Sequence, residues 1–314
     1  MERPQDIAIK GVAVVANTRI SLKTERSTVR QDIYMTKIAK VFATKTKMCP
    51  DDKDSYFDAP DLFTPVYEEV HISVTFTWAM QRVPYLKREW GRVCSNIKIG
   101  GPALGDPGGD FISGKYLKEG VTITSRGCPN NCSFCFVPKR EGKIRELKIC
   151  PGNVIQDNNL LACSKTHIDK VFGMLKKQKK IDFSGGFEAS RVTTGIVEQL
   201  RGLNIYQIWL AYDHPNAEKP LKEATEKLSK YFSREKIRCY VLIGYKGDTL
   251  EKAENRLVRA WELGTKPFAM RYRTGSSQWG ETYLHNERAW NLFQREWTRP
   301  AIIYSKMKTK TNIR

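Results

Sequence analysis

Residues 119–275 alternate between short apolar strands and amphipathic helices, and no other feature of this sequence constrains its fold as strongly. Apolar and β-branched residues predict strands at 121–124, 154–156, 181–184, 206–211, 238–243 and 267–272. Apolar residues at helical spacing predict helices at 167–175, 194–203, 219–231 and 249–263. Because strands that alternate with helices pair in parallel, we predict a (βα)₆ unit of the α/β class. Functional residues in such folds gather at the carboxyl ends of the strands.

A turn-rich segment at 100–110, with five glycines and two prolines, separates this unit from what precedes it. Strands at 70–76 and 97–99, a β-rich start at 7–15 and helices at 30–42 and 80–90 predict a small parallel-sheet domain. We therefore expect three parts: an α/β domain at 1–118, the (βα)₆ core at 119–275, and a helical or irregular extension at 276–314.

Three of the eight cysteines, Cys128, Cys132 and Cys135, lie in a loop rich in glycine, proline and asparagine just after the first strand of the core. Spacings of four and three residues let the curled loop direct three thiolates at one small object, and thiolates suit soft metals and iron–sulfur clusters. No fourth cysteine lies nearby, so a cluster held here would keep one iron open to another ligand.

This Cys-x₃-Cys-x-Phe-Cys motif after the first strand resembles the signature of the radical S-adenosylmethionine superfamily. The resemblance implies a partial (βα)₆ barrel, similar to a TIM barrel, and a [4Fe–4S] cluster ligated by the three cysteines. It also implies an open iron that chelates S-adenosylmethionine, reductive cleavage of that cofactor and a 5′-deoxyadenosyl radical. An oxidoreductase-type enzyme with an electron donor such as flavodoxin or ferredoxin is therefore expected, while the substrate cannot be read from the sequence.

The resemblance also implies where S-adenosylmethionine binds. Phe134 stands in the aromatic position that packs near the adenine, and Ser184, Gly185, Gly186 and Glu188 resemble the Gly-Gly-Glu motif for the methionyl amino group. The acid is displaced by one position because Phe187 intervenes. Three further positions, each at or near the end of a later strand, are expected to contact the ribose or adenine: Asp213, Gly244 and Met270. The polar residues at 156–159 end the second strand and face the same cavity.

The N-terminal domain resembles the small Rossmann-like domain of cobalamin-associated family members in its strand–helix rhythm and its turn at 100–102. The resemblance does not extend to the Asp-x-His-x-x-Gly segment that ligates cobalt, because no histidine here has that context. We therefore expect a degenerate relative of that domain and no bound corrin.

Two alternatives remain open. The cysteine loop and its surroundings also resemble methylthiotransferases that modify RNA or a ribosomal protein, although only Cys49 and Cys94 precede the motif. A structural zinc site is the other alternative, with Cys150 as a fourth ligand in a non-catalytic nucleic-acid-binding protein. Buried thiols are expected for Cys163 and Cys239, and no role is assigned to the remaining cysteines.

The net charge of +19 would attract nucleic acid or a phosphorylated substrate, although the same charge also serves solubility. The two interpretations are balanced because the basic residues are spread along the whole chain. No apolar run approaches the roughly 20 residues needed to span a bilayer, and the N-terminus lacks a signal-like apolar region. We expect a cytoplasmic protein with no membrane partner.

Overall fold

The structure, a computed structural model, describes residues 37–273 and 287–311. Its first sheet contains four parallel strands in the order β2–β1–β3–β4. These are β1 (Ile38–Phe42), β2 (Ser55–Tyr56), β3 (Glu69–Ser73) and β4 (Ile97–Gly100). Helix α1 (Val83–Trp90) follows a 3₁₀ turn (Thr77–Arg82) and packs Leu86 and Trp90 into the core of this sheet. The predicted parallel sheet before the turn-rich segment is thus present.

The helix predicted at 30–42 is wrong for its described part, because 38–42 is strand β1. A short apolar run fits either element, and pairing of β1 with strands on both sides decides for the strand. The helix predicted at 80–90 becomes regular only at Val83, because Pro84 is tolerated in a first turn but not in a helix interior. The strand predicted at 7–15 and residues 30–36 lie outside the described residues.

The larger sheet contains six parallel strands in the order β12–β11–β10–β9–β8–β5. Its members are β5 (Val121–Thr122), β8 (Val154–Ile155), β9 (Ile181–Phe187), β10 (Ile205–Tyr212), β11 (Ile237–Ile243) and β12 (Lys266–Arg271). A two-stranded antiparallel ribbon of β6 (Ser125–Arg126) and β7 (Arg145–Glu146) lies between the first two of these in the chain. All six predicted core strands are therefore confirmed, with shorter first and second strands.

A short helix that was not predicted, α2 (Val137–Arg140), lies between β6 and β7. The four predicted core helices are present as α3 (Lys165–Leu175), α4 (Thr194–Arg201), α5 (Glu218–Leu228) and α6 (Leu250–Glu262). Helices α7 (Glu287–Trp297) and α8 (Pro300–Thr311) follow in the C-terminal extension. Three of the core helices begin at an N-cap whose side-chain oxygen accepts a backbone N–H two or three residues into the helix. These caps are Ser164, Thr193 and Thr249, with oxygen–nitrogen distances of 3.2–3.3 Å.

Alternate residues of the central strands belong to different environments. Phe183, Leu210 and Val241 point to one face, where they pack against the helices in the main hydrophobic core. Asp182, Trp209 and Tyr240 point to the opposite face, since successive side chains of a strand alternate. The larger sheet therefore has one apolar face covered by helices and one face of polar and aromatic groups.

The turn-rich segment is tied to the cysteine ribbon. Arg145 Nη2 donates to the carbonyl oxygens of Pro107 and Gly108 at 3.0 and 3.2 Å, and Arg126 Nε donates to that of Gly109 at 3.2 Å. Trp290 and Trp297 of α7 are buried in the main core and Phe293 packs against it, so the described part of the C-terminal extension is packed helix. Trp279 lies outside the described residues. None of the helices described is both long and apolar enough to cross a membrane.

Replacement of Phe183 by alanine tests the packing of the main core. Phe183 is 1% exposed and contacts the rings of Phe172 and Phe187. We expect Phe183→Ala to lower the free energy of unfolding by about 3–5 kcal/mol, because it removes buried surface and leaves a cavity. Urea denaturation measures this. Leu62→Ala, at a side chain 98% exposed, is the control and should change stability little; equal effects of the two would contradict the assigned core.

Candidate cofactor site

The loop that carries the three cysteines is held between β6 and β7 at the carboxyl end of β5. Two backbone hydrogen bonds shape this loop. The N–H of Cys128 donates to Gly142 O at 3.1 Å, and the N–H of Cys135 donates to Cys132 O at 3.0 Å. All three cysteines are partly buried free thiols. The structure therefore brings the three predicted ligands into one curled loop.

Gly127 allows this loop to leave the ribbon. Its φ is +82°, and a Cβ there would lie 2.2 Å from Lys143 O. Only glycine fits both the left-handed backbone and this close approach.

Glu141 is a buried carboxylate that holds the loop by hydrogen bonds, and the sequence did not single it out. It accepts the backbone N–H of Gly127 at 3.1 Å, Arg140 Nη2 at 2.6 Å and the side-chain amide of Asn158. Its only signal in the sequence is an acid within the otherwise basic run at 139–143. Glu141 thus links the cysteine loop to the segment that ends the second core strand.

Asp157 forms a second link between the cysteine ribbon and the segment after β8. Its carboxylate accepts Thr124 N–H and Thr124 Oγ1 at 2.6 Å each, and Ser125 Oγ at 2.7 Å. Burial raises the pKa of this carboxyl, and the hydrogen bonds from Thr124 and Ser125 oppose that shift. Asp157 therefore fixes the start of the ribbon to the carboxyl end of β8.

Asn159 connects the cysteine loop with Glu188. Its Nδ2 lies 3.5 Å from Cys128 Sγ and donates to Glu188 Oε2 at 2.7 Å. The side chain is 3% exposed, and within the described part of the chain its Oδ1 is buried without a hydrogen-bond partner. Because an ionised carboxylate can only accept hydrogen bonds, the Asn159 atom that faces Glu188 must be the donor Nδ2, and the other atom of the amide is Oδ1. A buried acceptor next to the cysteines thus remains unsatisfied.

Glu188 itself has most of its acceptor capacity occupied. Besides Asn159, it accepts Arg191 Nε at 2.8 Å, Ser190 Oγ at 2.8 Å and a hydrogen bond from Asn130. Burial acts to raise the pKa of Glu188, but these hydrogen bonds outweigh it, so the pKa lies below its usual value. The displaced acid of the predicted motif is therefore ionised and beside the cysteine loop, but it is held by the protein.

The predicted glycine motif forms a bulge in β9. Phe183 pairs with Ile208 and Phe187 with Leu210, so residues 184–186 lie opposite a single residue of β10. A Cβ on Gly185 would lie 2.2 Å from Asp157 O, and Gly186 has φ +87°. Ser184 accepts Gln156 Nε2 at 2.6 Å through Oγ. Both glycines are required by the backbone at the position expected to receive a ligand.

Phe134 and Gly244 lie in the same region, at the carboxyl end of β11. The Phe134 ring is 5.9 Å from that of Tyr245, which contacts Tyr272 at 4.9 Å. The Gly244 N–H donates to Asp248 Oδ2 at 2.7 Å. The structure therefore brings the aromatic residue of the cysteine motif to the strand end predicted to contact adenine.

Asp213 follows β10, and burial raises its pKa to about 6. Its charge also raises the pKa of Cys132 and Cys135, so it lies on the cysteine side of the sheet. Met270 is 44% exposed on β12, opposite Leu242 in the register. His214 is exposed. Of these, only Asp213 is brought electrostatically close to the cysteines.

Burial raises the pKa of the Cys132 and Cys135 thiols, and the neighbouring cysteines raise it further. The three therefore interact, although no three His, Cys, Asp or Glu side chains in 37–273 and 287–311 already converge as metal ligands. Cys150 Sγ instead lies 3.6 Å from Phe111 O. Burial raises the pKa of the Cys163 thiol to about 11 and that of Cys239 still further, as expected for structural thiols.

Below the bulge, the polar face of the sheet carries Asp182, Trp209, Arg238 and Tyr240. Trp209 stacks on Tyr240 at 4.2 Å and donates its indole N–H to Asp182 Oδ1 at 3.0 Å. Arg238 lies over the Trp209 ring at 4.6 Å. Burial raises the pKa of Asp182 to about 6, against the lowering effects of Trp209 and Arg238.

Gly127→Ala should destabilise the protein by about 1–3 kcal/mol, because the left-handed backbone and the contact with Lys143 O cannot both persist. Chemical denaturation measures the loss. Gly109→Ala is the matched control, since a Cβ there meets nothing within 4 Å. Equal stability of the two variants would refute the assigned loop geometry.

Asp182 should give stability a distinct pH dependence. Its pKa rises from 3.8 to about 6 on folding, so the folded state holds the proton more tightly. The free energy of unfolding of the wild type should therefore fall, relative to Asp182→Asn, as pH rises between these values. Denaturation at several pH values measures the difference, and a difference that does not vary with pH would contradict the assigned burial.

No protein-family model matches this sequence, and no curated protein sequence matches it. Solved structures of the radical S-adenosylmethionine methyltransferase TsrM from Kitasatospora setae are similar to it. The structure with cobalamin and a [4Fe–4S] cluster bound superposes with a TM-score of 0.54 at 11% identity, over 76% of this chain and 75% of that chain. The structure with tryptophan substrate and an S-adenosylmethionine analogue bound gives 0.52 at 11% identity, over 75% and 72%.

At this identity the similarity concerns the fold. The predicted α/β class, with a parallel-sheet domain before a six-stranded parallel sheet, is confirmed. The chain shares its fold with these two structures over about three quarters of its length.

Proposed function

We propose that this protein is an enzyme that binds a [4Fe–4S] cluster at Cys128, Cys132 and Cys135 and cleaves S-adenosylmethionine reductively to start radical chemistry. The observation that carries the proposal is the Asn159 amide, which joins Cys128 to Glu188 at the bulged glycines. A cysteine loop, a glycine bulge and an unsatisfied acceptor meet there, as a cluster with a chelated cofactor requires.

The donor set suits such a cluster. Three free thiols in one loop supply the soft ligands that iron–sulfur clusters take, and the Cys150 thiol lies against Phe111 O. A reduced cluster bound there would supply the electron for cleavage of S-adenosylmethionine. The residues of the chain would hold the three corners, leave the fourth open and limit the access of water.

The surrounding residues would position S-adenosylmethionine. The bulge at 184–186 lets the backbone approach the methionyl group, and Asn159 Oδ1 would accept a hydrogen bond from its amino N–H. Glu188 would add negative charge beside it. Phe134 and Gly244 would flank the adenine, and Asp213 would accept ribose hydroxyls. Met270 would contribute only a partial contact, since it is largely exposed.

Cobalamin is a candidate second cofactor. We expected none from the missing histidine segment, and that expectation has no support, because one of the similar structures holds cobalamin. Titration of the protein with hydroxocobalamin, followed by visible absorbance, tests its binding. Methyl transfer, the activity of those structural neighbours, is one reaction class that the proposed chemistry could serve.

Anaerobic reconstitution with iron and sulfide tests the central proposal. We expect about four irons and four sulfides per chain, as a [4Fe–4S] cluster contains, and release of 5′-deoxyadenosine from S-adenosylmethionine after reduction. Cys132→Ala should lose both, because it removes one of three ligands.

Cys150→Ala is the matched control, and it distinguishes the cluster proposal from the structural zinc site with Cys150 as its fourth ligand. The Cys150 thiol lies against Phe111 O, so its loss should leave iron content and 5′-deoxyadenosine release intact. Stoichiometric zinc without sulfide, lost in Cys150→Ala, would replace this proposal with a closed structural site.

Asn159→Ala should weaken binding of S-adenosylmethionine by up to about tenfold, since one hydrogen bond between uncharged groups contributes roughly 0.5–1.5 kcal/mol. Equilibrium dialysis on the reconstituted protein measures binding, with iron content measured in parallel. Gln199→Ala removes an amide on α4 that bonds Asp169 and should change neither quantity. Unchanged affinity in Asn159→Ala at full iron content would remove Asn159 from the cofactor site.

A further inference from the structure

A cavity of about 160 Å³ lies between the first sheet and the cysteine loop. One wall comes from residues that follow β3 and β4: Thr75, Phe76, Thr77, Trp78, Pro102 and Ala103. The other wall comes from Phe136 and Arg140, and Arg273 closes it from the end of β12. Phe136 is the residue directly after Cys135. The cavity therefore adjoins the proposed cluster loop, and its volume is close to that of a cavity that holds a single aromatic ring.

An aromatic pair forms the floor of the cavity. The Phe76 and Trp78 rings are stacked with centroids 4.4 Å apart and planes within 11° of parallel. Trp78 is 41% exposed, which is high for the largest apolar side chain. A flat ring in the cavity could cover this surface, because aromatic rings favour offset stacking and edge contacts with one another.

The charges that line the cavity are all positive. Arg140 and Arg273 contribute guanidinium groups, and no Asp or Glu is among the lining residues. Glu141 holds Arg140 by two hydrogen bonds to Oε1, at 3.0 and 2.6 Å. Arg273 lies 5.0 Å over the Trp78 ring. Glu287 is the acid whose charge raises the pKa of Arg273, but it forms its ion pair with Arg271 at 3.0 Å. Arg273 Nη2 also donates to Asn291 Oδ1 at 3.4 Å, but no carboxylate within 37–273 and 287–311 forms an ion pair with it. Of the two lining arginines, Arg273 is therefore the one whose charge is left for an anionic ligand.

Burial, followed by repulsion from Arg271, lowers the pKa of Arg273. The positive form is therefore less favourable there than in water, and an anion beside it would relieve that cost. Guanidinium groups bind carboxylate and phosphate oxygens through paired N–H donors. The hydroxyls of Thr75 and Thr77 add donors at the same wall.

We propose that this cavity binds the substrate, and that the substrate is a planar aromatic compound that carries a carboxylate or a phosphate. Its ring would pack against the exposed part of the Phe76–Trp78 pair, and its anionic group would pair with Arg273. The assignment as substrate rests on the proposed radical function, because a ligand in this cavity lies directly beside the cysteine loop. The binding chemistry itself rests only on the lining residues.

Isothermal titration of the full chain, without reconstitution, tests the binding chemistry. The probes are indole-3-acetate, phenyl phosphate, neutral indole-3-acetamide and cyclohexylacetate, which has the charge but no aromatic ring. At least one of the two aromatic anions should bind about tenfold more tightly than both other probes, as expected for a charge-assisted contact combined with stacking. Preference between the carboxylate and the phosphate identifies the anionic group.

Trp78→Leu and Arg273→Met should each abolish this preference. The chain offers a matched control in Arg234, which lies 4.1 Å over the ring of Trp261 on α6, away from the cavity. Arg234→Met removes the same kind of cation–ring contact and should leave probe binding unchanged. Equal affinity for neutral and anionic rings, or loss of preference in Arg234→Met, would overturn the proposal.

The same titrations distinguish two kinds of failure. If aromatic anions bind as expected but the reconstituted protein holds no iron, the ligand chemistry stands and the radical function fails. If iron and 5′-deoxyadenosine release are found but no probe prefers the cavity, the radical function stands and this inference fails. Binding of hydroxocobalamin that Trp78→Leu abolishes would assign the cavity to a corrin and also overturn it.

Discussion

The candidate site depends on one buried amide. Asn159 Nδ2 contacts both Cys128 Sγ and Glu188 Oε2, and so fastens the cysteine loop to the end of β9. Around it, the buried carboxylates of Asp157 and Glu141 fix the same loop to the end of β8. Each group is enclosed where water cannot replace it, so the hydrogen bonds determine the geometry of the loop. Parallel pairing explains why these groups meet, because it places the carboxyl ends of all six strands on one edge.

Much of the fold could be predicted because its strands are apolar runs bounded by polar turns. All six core strands were found, and helices such as α6 carry clear apolar spacing and a threonine cap. Strand β1 was mistaken for a helix because five apolar-rich residues do not define a period, and only its neighbours make it a strand. The two-residue strand β2 was missed, since so short a segment is defined by pairing alone.

The site was predictable where chemistry dictates residue type and spacing. The sequence singled out three cysteines and two glycines as candidate site residues, and the structure brings the cysteines into one loop and requires both glycines in the backbone. Glu141 was missed because its role comes from Gly127 and Asn158, which the chain brings to it only on folding. Arg273 was missed as well, since its stacking on Trp78 joins positions far apart in sequence. Long-range hydrogen bonds and ring contacts leave no local pattern to read.

Helix α7 has a consequence for how copies of this protein meet. Strand β12 is the last strand of the larger sheet, and α7 lies along it, where Gln294 Nε2 donates to Ala269 O at 3.3 Å and Glu287 pairs with Arg271. A bare sheet edge offers backbone groups to any other extended chain, which leads to aggregation. Where α7 contacts that edge, it leaves less of β12 open to pairing with an extended segment of a neighbouring molecule.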